Sequence, residues 1–121
     1  MVITGRRRGI VGAWGETLAA EFLMKLGWDI LERNWRCRAG EIDLVAREPG
    51  GRVVLVEVKT RSGRGFGAPL EAITVAKQAK LRELAHHWRR AHRGAGPVRV
   101  DAVGVLRERD GVEITHVRGA A

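Results

Sequence analysis

The residues that most restrict the fold lie between Gly40 and Arg61, where two strand-like runs flank a tight turn. The run 41–46 alternates polar and apolar residues, and the run 53–59 is apolar and largely β-branched until its last residues. Residues 48–51 read Glu-Pro-Gly-Gly, a composition typical of turns. The sequence therefore predicts a β-hairpin centred near residue 50.

This hairpin brings Asp43 opposite Glu57, and the period of two places Lys59 on the same face as Glu57. Two carboxylates directly across a strand pair repel each other, by roughly 3 kcal/mol at a separation of about 5 Å and an effective dielectric of about 20. A divalent cation relieves this repulsion, and Mg²⁺ commonly takes one or two carboxylates together with waters and phosphate oxygens. The pattern predicts metal-assisted phosphodiester cleavage, with Lys59 placed to orient water or offset phosphate charge.

A solvated surface pair is the alternative interpretation of Glu57 and Lys59, because an exposed ion pair is worth less than about 1 kcal/mol. The residues before Glu57 are almost all apolar, which suggests a strand that is buried on both faces. Unpaired charges are costly in such surroundings. The position of the two charges at the end of this strand therefore favours a functional site.

Five short motifs together resemble the bacterial YraN family, a largely uncharacterised family described as endonucleases related to archaeal Holliday-junction resolvases. They are Gly15-Glu16, Asn-Trp-Arg-Cys-Arg at 34–38, Gly-Glu-Ile-Asp-Leu at 40–44, Val-Glu-Val-Lys-Thr-Arg at 56–61 and Phe-Gly-Ala-Pro-Leu-Glu-Ala at 66–72. Asp43 followed by Glu57-Val58-Lys59 is also similar to the Asp…(Asp/Glu)-x-Lys signature of the restriction-endonuclease-like nucleases. The resemblance runs from about Arg8 to Val105.

The resemblance implies a Mg²⁺- or Mn²⁺-dependent endonuclease acting on DNA, with branched or structured DNA as one candidate substrate. Asp43 and Glu57 would bind the metal together with the backbone carbonyl of Val58, and Lys59 would position the attacking water. Related resolvases cut both strands as dimers, so a homodimer is a further expectation.

Glu16 is the fourth candidate catalytic and metal-binding residue. The resemblance implies this role, since the family places a glutamate in the first helix. The alternative is a first-turn acid that interacts with the helix dipole, which is worth only about 0.3–1 kcal/mol.

The formal net charge of +8 and the isoelectric point near 11.2 indicate a polyanionic partner, most commonly nucleic acid. Most of the 22 basic residues are arginine, which favours bidentate phosphate contacts. A GC-rich genome is the alternative explanation, because it also enriches arginine, alanine and glycine. The candidate nucleic-acid-binding residues are Arg36, Arg38, Arg61, Arg64, Lys77 and Gln78.

Two other functions compete with the nuclease. A nucleic-acid-binding or scaffold protein on a nuclease fold would show salt-dependent binding that ignores Mg²⁺ and survives Asp43→Asn. A nuclease subunit would depend on a partner for DNA recognition.

The remaining sequence predicts one domain, residues 1–121, because the chain is long enough for a single core. Its predicted segments are a flexible basic tail at 1–13, a helix at 14–26, a strand at 28–35, a turn at 36–40, the hairpin, a glycine-rich loop at 60–69, a helix capped by Thr74 and running to 91, and strands at 98–105 and 112–117. The expected fold class is α/β: a restriction-endonuclease-like core in α-β-β-β-α-β-β order, with a mixed central sheet flanked by helices.

Apolar spacing predicts the buried face of each helix. The first face comprises Leu18, Ala19, Phe22, Leu23 and Leu26, with Glu16 at its margin, and the second comprises Leu81, Leu84, Ala85 and Trp88. We expect three histidines on the surface, His86, His87 and His92. Asp101 is expected to pair with an arginine.

Cys37 is the single cysteine, so the sequence predicts neither an intramolecular disulfide nor a cysteine zinc cluster. A reducing, cytoplasmic location fits this composition. No run approaches the roughly 18 apolar residues of a membrane span, and no membrane segment is predicted.

Overall fold

The computed structural model describes residues 10–63 and 69–121. Its elements are α1 (Ile10–Lys25), β1 (Asp29–Cys37), β2 (Gly40–Arg47), β3 (Val53–Ser62), a short 3₁₀ turn (Pro69–Ala72), α2 (Val75–Ala91), β4 (Val98–Glu108) and β5 (Gly111–Val117). The predicted order of helices and strands is confirmed, with the 3₁₀ turn added before α2. Residues 1–9 of the predicted tail lie outside the described residues. Residues 10–13 are helical and do not belong to a tail.

The five strands form one mixed sheet in the order β1-β2-β3-β4-β5. Only the β3–β4 pair is parallel, and α2 lies in the crossover connection that parallel strands require. Val45 lies opposite Leu55, as the hairpin centred at residue 50 predicts. The turn is closed by the Glu48 N–H, which donates to the Arg52 carbonyl at 3.0 Å.

Each helix covers one face of the sheet. Ala19 and Leu23 of α1 pack in one buried cluster with Leu44, Val54, Val56, Val103 and Val105. The predicted buried face of α2 is confirmed in full, and it packs against Val45, Leu55 and Val100. These two layers confirm the predicted α/β core with a helix on each side of a mixed sheet.

The buried face of α1 differs from the prediction. Leu26 is 49% exposed, because it lies past the last helical residue, where the chain turns away through Gly27. Gly27 has φ +90°, and the N–H groups of Gly27 and Trp28 donate to the carbonyls of Met24 and Leu23 at 3.0 and 3.1 Å. This is the Schellman arrangement that favours glycine after a helix.

β1 continues two residues further than predicted. Arg36 and Cys37 belong to the strand, where they lie opposite Glu41 and Gly40, so the turn between β1 and β2 consists of two residues rather than five. β3 and β4 are also longer than predicted, because they pair in parallel from Val53 and Val98 up to Ser62 and Arg107.

The histidines after the middle of α2 are not all on the surface. His86 is exposed, but His87 and His92 are half-buried. The ring of His92 stacks on Trp88 with the ring centroids 4.1 Å apart. The surface prediction therefore holds for His86 but not for His87 or His92, and the ring of His92 is covered because it packs on the tryptophan at the end of α2.

Asp101 lies at the centre of a buried charge network. Its carboxylate is 0% exposed and accepts hydrogen bonds from Arg99 Nε at 2.7 Å and from the Gly119 N–H at 3.0 Å. His116 Nε2 lies 2.8 Å from Asp101 Oδ2, and Arg99 also donates to Glu48 at 2.8 Å. The predicted pairing of Asp101 with an arginine is confirmed, and the network ties β4 and β5 to the hairpin turn.

The network shifts the pKa of both charged partners. Burial raises the pKa of the Asp101 carboxyl, but hydrogen bonds from Arg99, His116 and Gly119 outweigh burial and hold it below its ordinary value. The hydrogen bond with Asp101 raises the pKa of the Arg99 guanidinium. The ionised form of each group is therefore favoured in the folded protein.

None of the helices in the described part of the chain is long and apolar enough to cross a membrane.

Candidate metal and nucleic-acid site

The hydrogen-bonded pairing of β2 with β3 ends beside the predicted site. Paired residues run from Arg47 and Val53 to Leu44 and Val56. The predicted pair of Asp43 with Glu57 is not part of this ladder; beyond its end, the Val58 N–H donates to Oδ2 of Asp43 at 2.7 Å. The carboxylate of Asp43, which is 7% exposed, thus takes the place of a backbone acceptor and is held against β3.

Glu57 lies between two lysines. Its side chain is 6% exposed, and its Oε2 is 3.1 Å from Lys59 Nζ and 3.2 Å from Lys77 Nζ. The predicted placement of Lys59 beside Glu57 is confirmed. Two ammonium groups therefore contact this one carboxylate, and the carboxylate of Asp43, held by the neighbouring Val58 N–H, balances the second of them in formal charge.

Lys77 reaches Glu57 because of the way α2 begins. The predicted N-cap Thr74 is confirmed, since its hydroxyl accepts a hydrogen bond from the Lys77 N–H at 3.1 Å. The cap fixes the first turn of α2 over the sheet, and the Lys77 side chain extends from that turn to the end of β3. The sequence predicted Lys77 as a candidate nucleic-acid contact but did not predict its ion pair with Glu57.

Glu16 lies in the middle of the buried face of α1, not at its margin. It is 1% exposed and shares that face with Ala19, Ala20 and Leu23, at the helical spacing of three, four and seven residues. The helix dipole acts on side chains in the first turn of a helix. Because α1 begins at Ile10, Glu16 lies beyond that turn. The alternative interpretation of Glu16 as a first-turn acid is therefore wrong.

Asn34 connects Glu16 to β1, the strand next to the one that carries Asp43. Asn34 Nδ2 donates to Glu16 Oε1 at 3.0 Å, and Arg33 lies 3.6 Å from the same oxygen. In β1, Asn34 lies opposite Asp43, between the paired positions on either side. The sequence predicted no role for Asn34, whose side chain joins α1 to β1, the strand beside the hairpin.

The backbone at Asn34 is left-handed, with φ 58°, a conformation that asparagine adopts more readily than most residues. In β2, opposite Asn34, side chains do not alternate regularly between the two faces of the sheet. Ile42 and Val45 are three residues apart, yet both pack in the cluster beneath α2. An asparagine within a predicted strand is the only sequence signal for this local reversal.

The α1 helix approaches β3 closely at Gly15. A Cβ atom added to Gly15 would overlap Oγ1 of Thr60 and lie 3.1 Å from the Thr60 Cβ. Thr60 follows Lys59 directly, so this contact places Glu16 near the end of β3 that carries the lysine. Glycine is required here for the close approach of helix and strand.

We expect Gly15→Ala to lower the free energy of unfolding by about 1–3 kcal/mol, because the added methyl overpacks this contact. The loss should occur although alanine favours a helix by about 1 kcal/mol over glycine. Urea unfolding measures the change, and Gly50→Ala, where a Cβ meets nothing within 4 Å, is the control. An unchanged or higher stability of Gly15→Ala would contradict the contact, and Thr60→Ala in the same chain should restore part of the loss.

The oxygen ligands at this site fit a hard divalent cation in their chemistry. The carboxylates of Asp43 and Glu57 and the carbonyl of Val58 are the ligand types that Mg²⁺ takes. Within residues 10–63 and 69–121, no three His, Cys, Asp or Glu side chains gather into a cluster able to hold a metal ion. The structure thus does not bring Glu16 into one cluster with Asp43 and Glu57, and two carboxylates with waters and substrate oxygens are the set that fits.

The predicted nucleic-acid contacts within the described residues lie on β1, the β1–β2 turn, β3 and α2, and they differ in their partners. Arg36 is paired with Glu41 at 2.7 Å, and Arg61 donates to the Thr60 carbonyl at 3.0 Å. Arg38 is exposed in the β1–β2 turn, and Gln78 is half-buried on α2. Arg64 lies outside the described residues.

The five-stranded mixed sheet with a helix on each face defines an α/β domain, and Asp43, Glu57 and Lys59 lie at the end of its hairpin. The chain matches the model of Uncharacterised protein family UPF0102 over residues 15–105 and belongs to that family. UPF0102 is the YraN family, so the resemblance found in the sequence is confirmed.

Relatives in this family match almost the whole chain. A UPF0102 protein of Acidothermus cellulolyticus is 48% identical over 132 aligned residues that cover 99% of each chain. A UPF0102 protein of Clavibacter michiganensis is 56% identical over 102 residues, which cover 84% of this chain and 86% of the relative.

Two solved structures align with most of this chain at low identity. One is the structure of an EndoMS–dsDNA2 complex, with a TM-score of 0.43 and 20% identity over 80% of this chain. The other is the structure of Pyrococcus furiosus SfsA in complex with Ca²⁺, with a TM-score of 0.35 and 17% identity over 88% of this chain. The chain spans 38% and 61% of the length of these proteins, respectively.

Proposed function

We propose that this protein is a Mg²⁺- or Mn²⁺-dependent nuclease that hydrolyses phosphodiester bonds in DNA. The observation that supports this most is the nearly buried carboxylate of Glu57 between Lys59 and Lys77. It lies next to Val58, whose N–H holds Asp43 where the β2–β3 pairing ends. The two carboxylates have the charge to bind a divalent cation, and the two lysines have the charge to bind a phosphodiester.

A purely structural role explains Glu57 less well. Buried ion pairs contribute little net stability, because the cost of removing charge from water offsets their attraction. The two lysine side chains remain 25% and 32% exposed, so they are accessible to a ligand from solvent. An anionic ligand therefore accounts for two cations on one carboxylate.

The proposed chemistry is attack of water on phosphorus, cleavage of a P–O ester bond and protonation of the leaving oxygen. A bound Mg²⁺ supplies Lewis-acid polarisation of the phosphate and a more acidic water. Asp43, Glu57 and the Val58 carbonyl are the groups that would hold it. Lys59 is placed to hydrogen-bond the attacking water or a phosphate oxygen and stabilise the charge that develops there, while Lys77 fixes Glu57 from α2.

A nucleic-acid-binding or scaffold protein without turnover is the second candidate. It is favoured by the same ion pairs, because Lys59 and Lys77 already offset the charge of Glu57 before any metal binds. The two candidates differ in whether divalent cations bind at Asp43.

Calorimetric titration of Mg²⁺ and Mn²⁺ into the wild type and Asp43→Asn tests the proposal, with and without a four-way DNA junction. We expect metal binding to the wild type, at least tenfold weaker binding to Asp43→Asn by analogy with the loss of metal-site partners, and DNA cleavage that EDTA prevents. Asp29→Asn, an exposed carboxylate at the start of β1, is the matched control. DNA binding without metal uptake or cleavage would contradict the nuclease and leave the binding protein.

A further inference from the structure

Four arginines on α2 or just after its end form what we call the arginine surface: Arg82, Arg89, Arg90 and Arg93. These arginines line two open hollows of about 430 and 320 Å³. His86 and Arg89 line both hollows, so the hollows adjoin each other along the helix. The arginine surface is therefore one continuous feature and not four separate side chains.

No arginine of this surface forms an ion pair with a carboxylate in the part of the chain that the structure describes. The acidic residue in their midst, Glu83, instead pairs with Lys80 at 3.4 Å and approaches His87 at 3.9 Å. The helix dipole favours Arg89 and Arg90 in the last turn but not Arg82, so the dipole does not account for the whole cluster.

The end of the arginine surface is held in place by His92. Its ring stacks on Trp88, and its Nδ1 lies 2.8 Å from the Trp88 carbonyl, a contact that requires a proton on Nδ1. The His92 N–H also donates to the Arg89 carbonyl at 3.3 Å. Arg93 therefore follows a fixed helix end, which lowers the entropy lost when a ligand binds there.

We propose that the arginine surface binds the phosphate backbone of duplex nucleic acid. Arg82 and Arg90 are eight residues apart, which is about 12 Å along a helix. Successive phosphates of one strand rise by about 3.4 Å along the duplex axis, so this length matches three or four of them. Guanidinium groups bind phosphate in a bidentate manner.

The arginine surface and the candidate site lie on one helix. Lys77, which contacts Glu57, precedes Arg82 by five residues, or about 7.5 Å of helix. The inference rests on the proposed function in taking nucleic acid as the ligand, and it adds a backbone-binding region separate from the reacting phosphate.

Other polyanions and partners fit the arginine surface less well. A membrane-bound amphipathic helix presents an apolar face to lipid, whereas Leu81, Leu84 and Trp88 of α2 are buried against the sheet. The anchors of protein interfaces are enriched in Trp and Tyr as well as Arg. Among the described residues, no exposed large hydrophobic side chain lies on this surface.

The test compares Arg89→Gln/Arg93→Gln with Lys25→Gln/Arg52→Gln, which removes the same formal charge from exposed residues elsewhere. Binding to a DNA duplex of about 24 base pairs and to an RNA duplex of the same sequence is measured in EDTA, from roughly 50 to 200 mM salt. We expect the arginine-surface variant to bind both duplexes at least fivefold more weakly. The negative slope of log K against log salt concentration should become shallower by about two. Equal losses in the two variants would overturn the inference, because binding would then follow net charge alone.

Measurement in EDTA separates this inference from the nuclease proposal. A wild type that never cleaves DNA, together with a selective loss of duplex binding in the arginine-surface variant, supports the inference and contradicts only the nuclease. A wild type that cleaves DNA, with duplex binding unchanged in the arginine-surface variant, contradicts only the inference. Anionic phospholipid vesicles that retain the wild type but not this variant would overturn the choice of nucleic acid.

Discussion

Asp101→Asn is expected to lower the free energy of unfolding by about 3–5 kcal/mol at neutral pH, the usual cost of breaking a buried ion pair. The carboxylate is fully buried and accepts hydrogen bonds from Arg99 and Gly119, with His116 at hydrogen-bond distance. An asparagine amide offers one oxygen where two are used, and it removes the charge that offsets Arg99. The charge of Glu48, which also binds Arg99, replaces only part of this attraction.

The same substitution is expected to change the pH dependence of stability. The pKa of Asp101 is lowered in the folded protein, so its carboxylate contributes stability above its ordinary unfolded value of about 3.9. This contribution is lost as the pH falls below that value towards the folded pKa. The groups that face Asp101 are Arg99, His116 and the Gly119 N–H, with Glu48 behind Arg99.

Urea unfolding at several pH values measures both effects. The difference in unfolding free energy between wild type and Asp101→Asn should be largest near neutral pH and should shrink below about pH 4. Asp110→Asn, which alters an exposed carboxylate in the β4–β5 turn, is the matched control. A difference that stays constant down to acid pH would show that the loss comes from packing and not from ionisation.

Lys59→Ala is expected to lower the turnover of DNA by about 10²–10³-fold if the proposed nuclease is correct, the usual cost of losing one group that stabilises developing charge. Asp43→Asn should lower turnover at least as much, because it also weakens metal binding. In both variants kcat should fall with little change in KM, since the lost interactions act mainly in the transition state. Single-turnover cleavage at saturating Mg²⁺ measures the effect.

Two lysine variants serve as controls for this prediction. Lys77→Ala should lower turnover less, because Lys59 still holds Glu57, and Lys25→Ala on the opposite helix should leave turnover unchanged. Near-ultraviolet circular dichroism checks the fold of each variant. If Lys59→Ala and Asp43→Asn both unfold, the two residues have a structural role and the catalytic assignment is wrong.

The two helices show why sequence predicts some elements better than others. On α2, charged residues surround an apolar stripe, so periodicity alone identified Leu81, Leu84, Ala85 and Trp88. On α1, large apolar residues lie all around the helix, and the buried face combines Glu16 and Leu23 with small residues. Periodicity therefore predicted that Leu26 is buried, whereas it is exposed. The close approach of α1 to β3, rather than hydrophobicity, determines which face of the helix is buried.

The candidate site was predicted as far as it depends on local pairing. The turn at residue 50 fixes the hairpin register, and that register placed Asp43, Glu57 and Lys59 at one end of the sheet. The contact of Asn34 with Glu16 depends on how α1 crosses the sheet, and no local pattern encodes that crossing. The ion pair of Lys77 with Glu57 likewise depends on the start of α2 and was not predicted.

The hydrogen bond from the Val58 N–H to Asp43 Oδ2 makes one amide a spectroscopic probe of the site. Because its acceptor is a side chain rather than a strand carbonyl, its proton chemical shift follows the charge and position of that carboxylate. Its hydrogen-exchange rate follows whether the carboxylate stays in place. A labelled Val58 amide therefore reports ligand arrival at Asp43 in solution without any substitution at the site.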